Sequence, residues 1–249
     1  MMTFNTAFKH LYEKEFKPYD FQKVKGKRPY FLRMIGDEIF HMLTYRNCWS
    51  ERPYKEFQII WGIGTVYREK IDLDILPDKT TCWTHIFSSF VYRDQSRTDP
   101  ERTDENWSDD VDMEEELDYS VELVKMKILP KMDKAVTLEQ CYGCLRDTGL
   151  YEEENFGGNS QEHNEGLLSY ILYVPEIYEE VRGKRMGDSQ RVENQQMVME
   201  MIRHQGMDHQ PEIFKKYLKG EENHRLVVET LKRRKRENHE RLRSHGIVF

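Results

Sequence analysis

The fold of this protein is decided by residues 30–46, which read YFLRMIGDEIFHMLTYR. Two apolar runs, at 30–35 and 38–46, have the length and the residue types of β-strands. Gly36 and Asp37 lie between them, and this dipeptide is typical of the two-residue turn of a β-hairpin. The stretch therefore predicts two antiparallel strands joined by a tight turn.

Two further strands are predicted at 57–67 and 81–92, and the short connections favour an antiparallel sheet over βαβ units. Both alternating sets of side chains are apolar. Trp61 points to one face of the third strand, whereas Ile60 and Val66 point to the other. A sheet with one solvated face would alternate apolar and polar residues. The second face must therefore be covered, and helices are a simpler explanation than a partner or a ligand.

The rest of the chain has helical periodicity. The first helix is predicted to end before Pro18, and another begins after Asp112 and ends at Pro130. Thr137 and Gln140 have the spacing of a capping box. Further helices are predicted from Asn159 to Pro175, over 189–204 and over 211–245, the last being a basic terminal helix with a bend at Gly220. The predicted class is α+β: an N-terminal helix, a three- to four-stranded antiparallel sheet and a helical C-terminal half.

Five blocks of sequence stand out within the first part of the chain. They are residues 16–21 (FKPYDF), 30–33 (YFLR), 38–42 (EIFHM), 62–68 (GIGTVYR) and 128–133 (ILPKMD). Together they resemble an uncharacterised bacterial family, the domain of unknown function 4304 family, over about residues 4–150. The resemblance implies an α+β bacterial protein and brings no established activity and no site residues.

Because the resemblance and the strand signals stop near residue 150, the chain is divided there. Residues 1–150 are predicted to form the α+β domain, and residues 151–249 a helical extension packed on it. Deletion of residues 221–249 is then expected to leave a core that unfolds cooperatively.

The composition excludes several classes of protein. Aromatic residues make up 12% of the 249 residues and Met occurs 12 times, which is too much apolar content for a disordered chain. No apolar run is long enough for a membrane helix and no signal peptide is recognisable, so we expect a soluble cytoplasmic protein. The sequence pI of about 5.8 argues against a dedicated nucleic-acid binder.

Four cysteines in a chain without a secretory signal are expected to be free thiols. Cys141 and Cys144 form a CxxC pair, but a structural zinc site needs two more ligands at metal spacing. We therefore expect plain helix packing for this pair, with no metal and no cofactor.

The strands carry the candidates for catalysis. His41 and His85, with Tyr45 and Tyr67, could line a pocket on the sheet for general acid–base chemistry. The alternative interpretation of the two histidines is that they are hydrogen-bonded groups in or beside the core. Convergence of these side chains in one pocket would favour an enzyme that needs no metal.

The charge pattern carries the candidates for binding. The net charge is −7, yet residues 99–118 alone carry eleven acidic residues against one Arg. Two groups of residues are predicted to contact a protein partner: Asp104, Glu105, Asp109 and Asp110 in the acidic segment, and Arg233, Arg234 and Arg236 in the terminal helix. A non-enzymatic binding protein of the immunity or accessory kind is the leading hypothesis, and the metal-independent enzyme is the alternative.

Overall fold

The computed structural model describes residues 4–26, 29–49, 55–68, 70–71, 73, 89–91, 113–141, 171–172, 174–194, 196 and 220–249. The N-terminal part contains α1 (Phe4–Phe16), a 3₁₀ turn (Lys17–Tyr19), and the strands β1 (Gln22–Lys23), β2 (Phe31–Ile35), β3 (Ile39–Trp49), β4 (Lys55–Thr65) and β5 (Ser89–Val91). The C-terminal part contains α2 (Met113–Leu123), a π-helical turn (Val124–Ile128), α3 (Leu129–Met132), α4 (Pro175–Arg182) and α5 (Glu221–Ser244). Short helical segments also occur at 138–141 and 188–194. The predicted α+β class is confirmed.

The strands form one antiparallel sheet in the order β1-β2-β3-β4-β5. The four predicted strands correspond to β2–β5, although the fourth, predicted at 81–92, is described only at Ser89–Val91. The two-residue strand β1 extends the sheet beyond β2 and was not predicted.

The hairpin between β2 and β3 differs from its prediction by one residue. Ile35 pairs with Ile39, so the loop has three residues and includes Glu38. Gly36 has a φ of 59°, a left-handed conformation that glycine adopts without strain. The extra loop residue sets the register, and as a result Arg33 lies opposite His41. A two-residue loop would have placed Phe40 there.

One face of the sheet packs against α1. The Phe8 ring lies 4.5 Å from the Tyr45 ring and 6.1 Å from the Phe31 ring, measured between centroids. The Tyr12 hydroxyl is 3.0 Å from the Ser120 hydroxyl, which joins α1 to α2 inside the core. The N-terminal helix and α2 therefore share this side of the sheet.

The other face is equally buried, as the two-sided apolar pattern predicts. Met42 and Ile60 are at most 2% exposed, and they belong to one core that also contains Tyr178 of α4 and Leu231 of α5. Phe40 and Gly64 are neighbours across β3 and β4 on this face, and a Cβ at position 64 would collide with the Phe40 ring. The C-terminal helices are thus part of the same hydrophobic core as the sheet.

The helix that begins after Asp112 does not end at Pro130, contrary to the prediction. A proline cannot donate the backbone hydrogen bond of its helical turn, and its ring collides with the carbonyl four residues earlier. The chain widens into a π-turn at Val124–Ile128, in which the Leu129 N–H donates to the Val124 carbonyl, five residues back. Pro130 then lies in the first turn of α3, where no donor is needed.

Two other helix boundaries bear on the predictions. The helix predicted to run up to Pro175 is described only at 171–172, and Val174 is extended. Pro175 is also the first residue of a further helix, α4, which was not predicted and which Gly183 ends with a φ of 68°. Gly220 was predicted to bend a helix that starts at 211, but it is extended, so α5 begins at Glu221. Residues 211–219 lie outside the described part of the chain.

Candidate functional site

His41 makes hydrogen bonds with both of its ring nitrogens. Nε2 is 2.9 Å from the Ala135 carbonyl oxygen, and Nδ1 is 2.9 Å from the Arg33 Nη2. Because a carbonyl only accepts and a guanidinium only donates, Nε2 carries the proton and Nδ1 accepts. Burial lowers the pKa of His41 to about 4, and the Arg33 charge acts in the same direction. His41 is therefore a neutral, fully paired core histidine near neutral pH.

Arg33 connects this histidine to the surface. Its Nη2 donates to the Asp133 Oδ1 over 2.6 Å, and its guanidinium lies 5.0 Å from the centre of the Phe21 ring. The Arg33 side chain is only 10% exposed, whereas the Asp133 side chain is 56% exposed. The guanidinium thus bridges a buried imidazole and a solvated carboxylate, an arrangement that ties β2 and β3 to the turn after α3.

The turn that supplies Asp133 and Ala135 is followed by the predicted capping box, which the structure confirms. The Gln140 N–H donates to the Thr137 hydroxyl over 3.2 Å, and the Thr137 N–H donates to the Gln140 side-chain oxygen over 3.1 Å. Cys141 is the last described residue of this helical segment, and it is buried. Cys144 and the predicted continuation of the helix lie outside the described residues.

Tyr67 belongs to a different cluster, which we call the Glu38 cluster: Glu38, Tyr67 and Arg182. The Tyr67 hydroxyl donates to the Glu38 Oε1 over 2.5 Å. The Arg182 Nε donates to the same oxygen over 2.8 Å, and its Nη2 pairs with the Glu38 Oε2. Burial and the charge of Glu38 raise the pKa of the Tyr67 hydroxyl. Tyr67 is therefore a protonated donor that stabilises a carboxylate.

The four catalytic candidates do not share one hydrogen-bond cluster within the described residues. His41 bonds to Arg33 and Ala135, Tyr67 bonds to Glu38, and the Tyr45 ring packs on Phe8. His85 lies outside the described part of the chain.

The terminal helix α5 is held in place by its inner side. Asn238 is fully buried, and its side-chain amide donates to the Val66 and Arg68 carbonyls at 2.9 Å each. Its oxygen accepts the Ile71 N–H over 3.0 Å. Sequence reasoning missed this residue, although Asn238 follows Leu231 by seven positions and therefore shares its side of the helix.

Two more contacts attach α5 to the β2–β3 hairpin. The Lys235 ammonium lies 2.6 Å from the Asp37 carboxylate. The His239 Nε2 lies 2.6 Å from the Asp37 carbonyl oxygen, to which it donates. Together with Asn238, these contacts determine which side of α5 faces solvent.

The solvent-facing side of α5 is charged, and we call it the outer face. Within an arc of about 100° around the helix axis it holds exposed charged residues from both ends of the helix, since each residue advances by about 100°. They are Glu222, Arg225, Glu229, Lys232, Arg233, Arg236, Glu240 and Arg243. The outer face thus carries five cations and three carboxylates on a helix of fixed orientation.

The predicted binding residues separate into two groups. Arg233 and Arg236 are exposed, whereas Arg234 is half-buried and donates to the Tyr67 carbonyl over 3.4 Å, so it belongs to the anchored side. The acidic candidates Asp104, Glu105, Asp109 and Asp110 lie outside the described residues.

No protein-family model, curated protein or solved structure matches this chain. The resemblance of residues 4–150 to the domain of unknown function 4304 family therefore stays a prediction. Within the described residues, no group of three or more His, Cys, Asp or Glu side chains is placed to hold a metal ion. None of the helices in the described ranges has both the length and the apolar character needed to cross a bilayer.

Proposed function

We propose that this chain is a non-enzymatic binding protein that recognises an acidic protein partner through the outer face of α5. The observation that carries the proposal is the row of exposed cations, Arg225, Lys232, Arg236 and Arg243, on a helix whose other side is anchored to the sheet. A surface of this kind attracts a partner of opposite charge and accelerates their encounter.

The anchoring contributes to binding because it removes an entropic cost. The Asn238 and Lys235 contacts already hold the helix in one orientation, so a partner does not have to order it. From Arg225 to Arg243 the row spans 18 residues, or about 27 Å of helix. Exposed ion pairs contribute only about 0–1 kcal/mol each, so we expect moderate affinity that falls with salt.

The enzyme alternative has less support. A general base needs a nitrogen that is available to a substrate, and both nitrogens of His41 are used internally. Tyr67 is a donor to a carboxylate that Arg182 also binds. Within the His41 group and within the Glu38 cluster, the polar side chains already form hydrogen bonds with their neighbours, which is typical of structural networks. An immunity or accessory role, and a bacterial source, stay predictions from the sequence.

The proposal is tested with a fluorescent polyglutamate peptide and anisotropy at low salt and at about 0.15 M salt. Replacement of Arg225, Lys232 and Arg236 by Gln is expected to weaken binding by about tenfold or more at low salt. A control variant removes the same charge at three exposed positions outside α5, Lys134→Gln, Lys184→Gln and Arg185→Gln. Equal losses in both variants would show that only net charge matters, and the proposed site would be wrong.

A further inference from the structure

Residues 245–249, which we call the tail, run beside β1 and the residues that follow it. The Lys25 N–H donates to the His245 carbonyl over 2.8 Å, and the Gln22 side chain bonds to Val248. The tail advances from 245 to 248 while its partners step back from 25 to 22, so the two segments are antiparallel. Because β1 is the outermost strand on this side of the described sheet, the tail lies where a further strand would be added.

We infer that this sheet edge is a binding site for an extended segment of another protein, and that the tail occupies it as an internal ligand. The segment that fits has apolar side chains at alternate positions. The inference goes beyond the proposed function and does not depend on it, because binding at the sheet edge needs no acidic partner on the outer face of α5.

The Gln22 side-chain amide provides backbone recognition at this edge. Its Nε2 donates to the Val248 carbonyl over 2.8 Å, and its Oε1 accepts the Val248 N–H over 2.8 Å. These are the two hydrogen bonds that a residue of a neighbouring strand would supply. Neither bond depends on the side chain of the occupant. In strand addition to a sheet edge, such main-chain bonds supply affinity for peptides of different sequence.

The tail side chains alternate between buried and exposed positions. Ile247 is 2% exposed and belongs to the core, whereas Val248 is 76% exposed. The Phe249 ring is partly buried, and its centre lies 4.7 Å from that of the His239 ring and 5.0 Å from the Arg243 guanidinium carbon. An extended segment places alternate side chains on one side. The site therefore selects an aliphatic residue and, two positions later, an aromatic one.

The tail leaves α5 through a sharp turn at a single glycine. The Gly246 N–H donates to the Arg243 carbonyl over 2.9 Å and the Ile247 N–H to the Leu242 carbonyl over 3.0 Å, which is the Schellman motif. Gly246 has a φ of 83°, and a Cβ there would lie 2.9 Å from the Lys25 side chain. When the tail leaves, water can accept these helix-end groups, so α5 itself can stay in place.

The inference is tested with a full-length variant whose tail cannot occupy the site, Ile247→Asp with Phe249→Ala, which we call the released variant. A carboxylate at the buried position 247 is costly, so this tail should leave the edge. The probe is a synthetic peptide with the sequence of residues 244–249, SHGIVF. NMR is expected to show saturable shifts of the Lys25 backbone amide and the Gln22 side-chain amide. Wild type should bind about tenfold or more weakly, because its own tail competes at high effective concentration.

Peptide variants test the alternating pattern. Peptides with Ile247→Asp or Phe249→Ala should bind the released variant about tenfold or more weakly, because each loses a buried apolar contact. The matched control, Val248→Asp, changes an exposed position and should alter binding by less than about threefold.

A protein variant tests the backbone recognition. Adding Gln22→Ala to the released variant removes both amide hydrogen bonds and should weaken peptide binding by about tenfold. Adding Lys134→Ala at an exposed position should leave binding unchanged. Equal losses from the two changes would show that the peptide does not use the edge beside Gln22.

The remaining outcomes also decide the inference. It is wrong if wild type and the released variant bind the peptide equally, or if neither binds at about 1 mM peptide. If the released variant does not unfold cooperatively, the peptide at this concentration must restore a cooperative transition, and failure to do so contradicts the inference. Dimerisation of the released variant without peptide would identify a second copy as the occupant, and the inferred peptide partner would be wrong.

Discussion

The Arg182 guanidinium forms a two-point ion pair with the Glu38 carboxylate, across 144 residues of chain. The pair joins α4 to the β2–β3 hairpin, and the two side chains are only 8% and 13% exposed. Tyr67 donates a further hydrogen bond to the same carboxylate, and the Tyr178 ring lies 4.6 Å from the guanidinium carbon. The C-terminal half is thus attached to the sheet by a nearly buried charge pair.

Replacing Arg182 with Gln should destabilise the fold by about 3 kcal/mol, because it leaves the Glu38 carboxylate nearly buried without its counter-charge. Urea unfolding measures the change. The matched control is Arg191→Gln, since the Arg191–Glu176 pair is 4.0 Å long and well exposed. That variant should change stability by less than about 0.5 kcal/mol. Similar effects of the two variants would contradict a structural role for the Arg182–Glu38 pair.

His41 should make the protein less stable as the pH falls from about 6.5 towards 4. Its pKa is lowered to about 4 in the folded state, so below the unfolded pKa of about 6.5 the unfolded chain binds the proton more tightly. Stability is fully present above this window and is lost on acidification, by about 3 kcal/mol across it. Unfolding in urea at several pH values measures the slope.

The variant His41→Gln isolates this contribution. It should be less stable than wild type at pH 7, because the Ala135 carbonyl or Arg33 loses its partner. Its stability should nevertheless fall less steeply between pH 6.5 and 4. His239, whose pKa burial also lowers, remains in both proteins and supplies the background slope. An unchanged slope in the variant would mean that another group dominates.

Replacing Asn238 with Leu should destabilise the fold by roughly 2–4 kcal/mol, since three backbone groups lose their hydrogen bonds to the Asn238 side chain. The affected groups are the Val66 and Arg68 carbonyls and the Ile71 N–H. Thermal unfolding with Glu240→Ala as an exposed control on the same helix measures the difference. If Asn238→Leu unfolds at the wild-type temperature, α5 does not depend on this anchor.

Deletion of residues 221–249 should abolish cooperative unfolding, in contrast to the expectation drawn from the sequence alone. The deletion removes Val228 and Leu231, which are at most 1% exposed, from the same core as the sheet. The milder variant Leu231→Ala should cost about 2–5 kcal/mol while keeping a cooperative transition. A sharp unfolding transition in the truncated chain would show that the first part folds independently.

The elements that the sequence by itself determined are those with local causes. The apolar runs at 30–35 and 38–46 become β2 and β3 because strand propensity and alternation act within a few residues. The Thr137–Gln140 capping box forms as predicted because its two hydrogen bonds close within one turn. The two-sided burial of the sheet was also visible, since apolar residues on both faces need cover.

Tertiary structure alone decided the relationships that depend on register and on distant packing. One additional loop residue, Glu38, places Arg33 opposite His41. The Gly36-Asp37 dipeptide is compatible with a two-residue or a three-residue loop, so the sequence does not determine this register. Pro130 was a correct signal of a broken hydrogen-bond pattern, but packing of Ile128 and Met132 in the core keeps the helix going through a π-turn. Local helix propensity therefore does not predict that the helix continues past Pro130.

The charged residues of α5 could be read from the sequence, whereas the orientation of the helix could not. The basic composition of the terminal helix was readable, but which of its cations face solvent depends on the groups that anchor its inner side. Asn238 and Lys235 contact residues about 170 and 200 positions away, and no local pattern specifies such contacts. The sequence determines which residues are charged. The packing of α5 on the sheet leaves Arg236 exposed and turns Arg234 towards the Tyr67 carbonyl, because an amphipathic helix buries the side that carries its apolar residues.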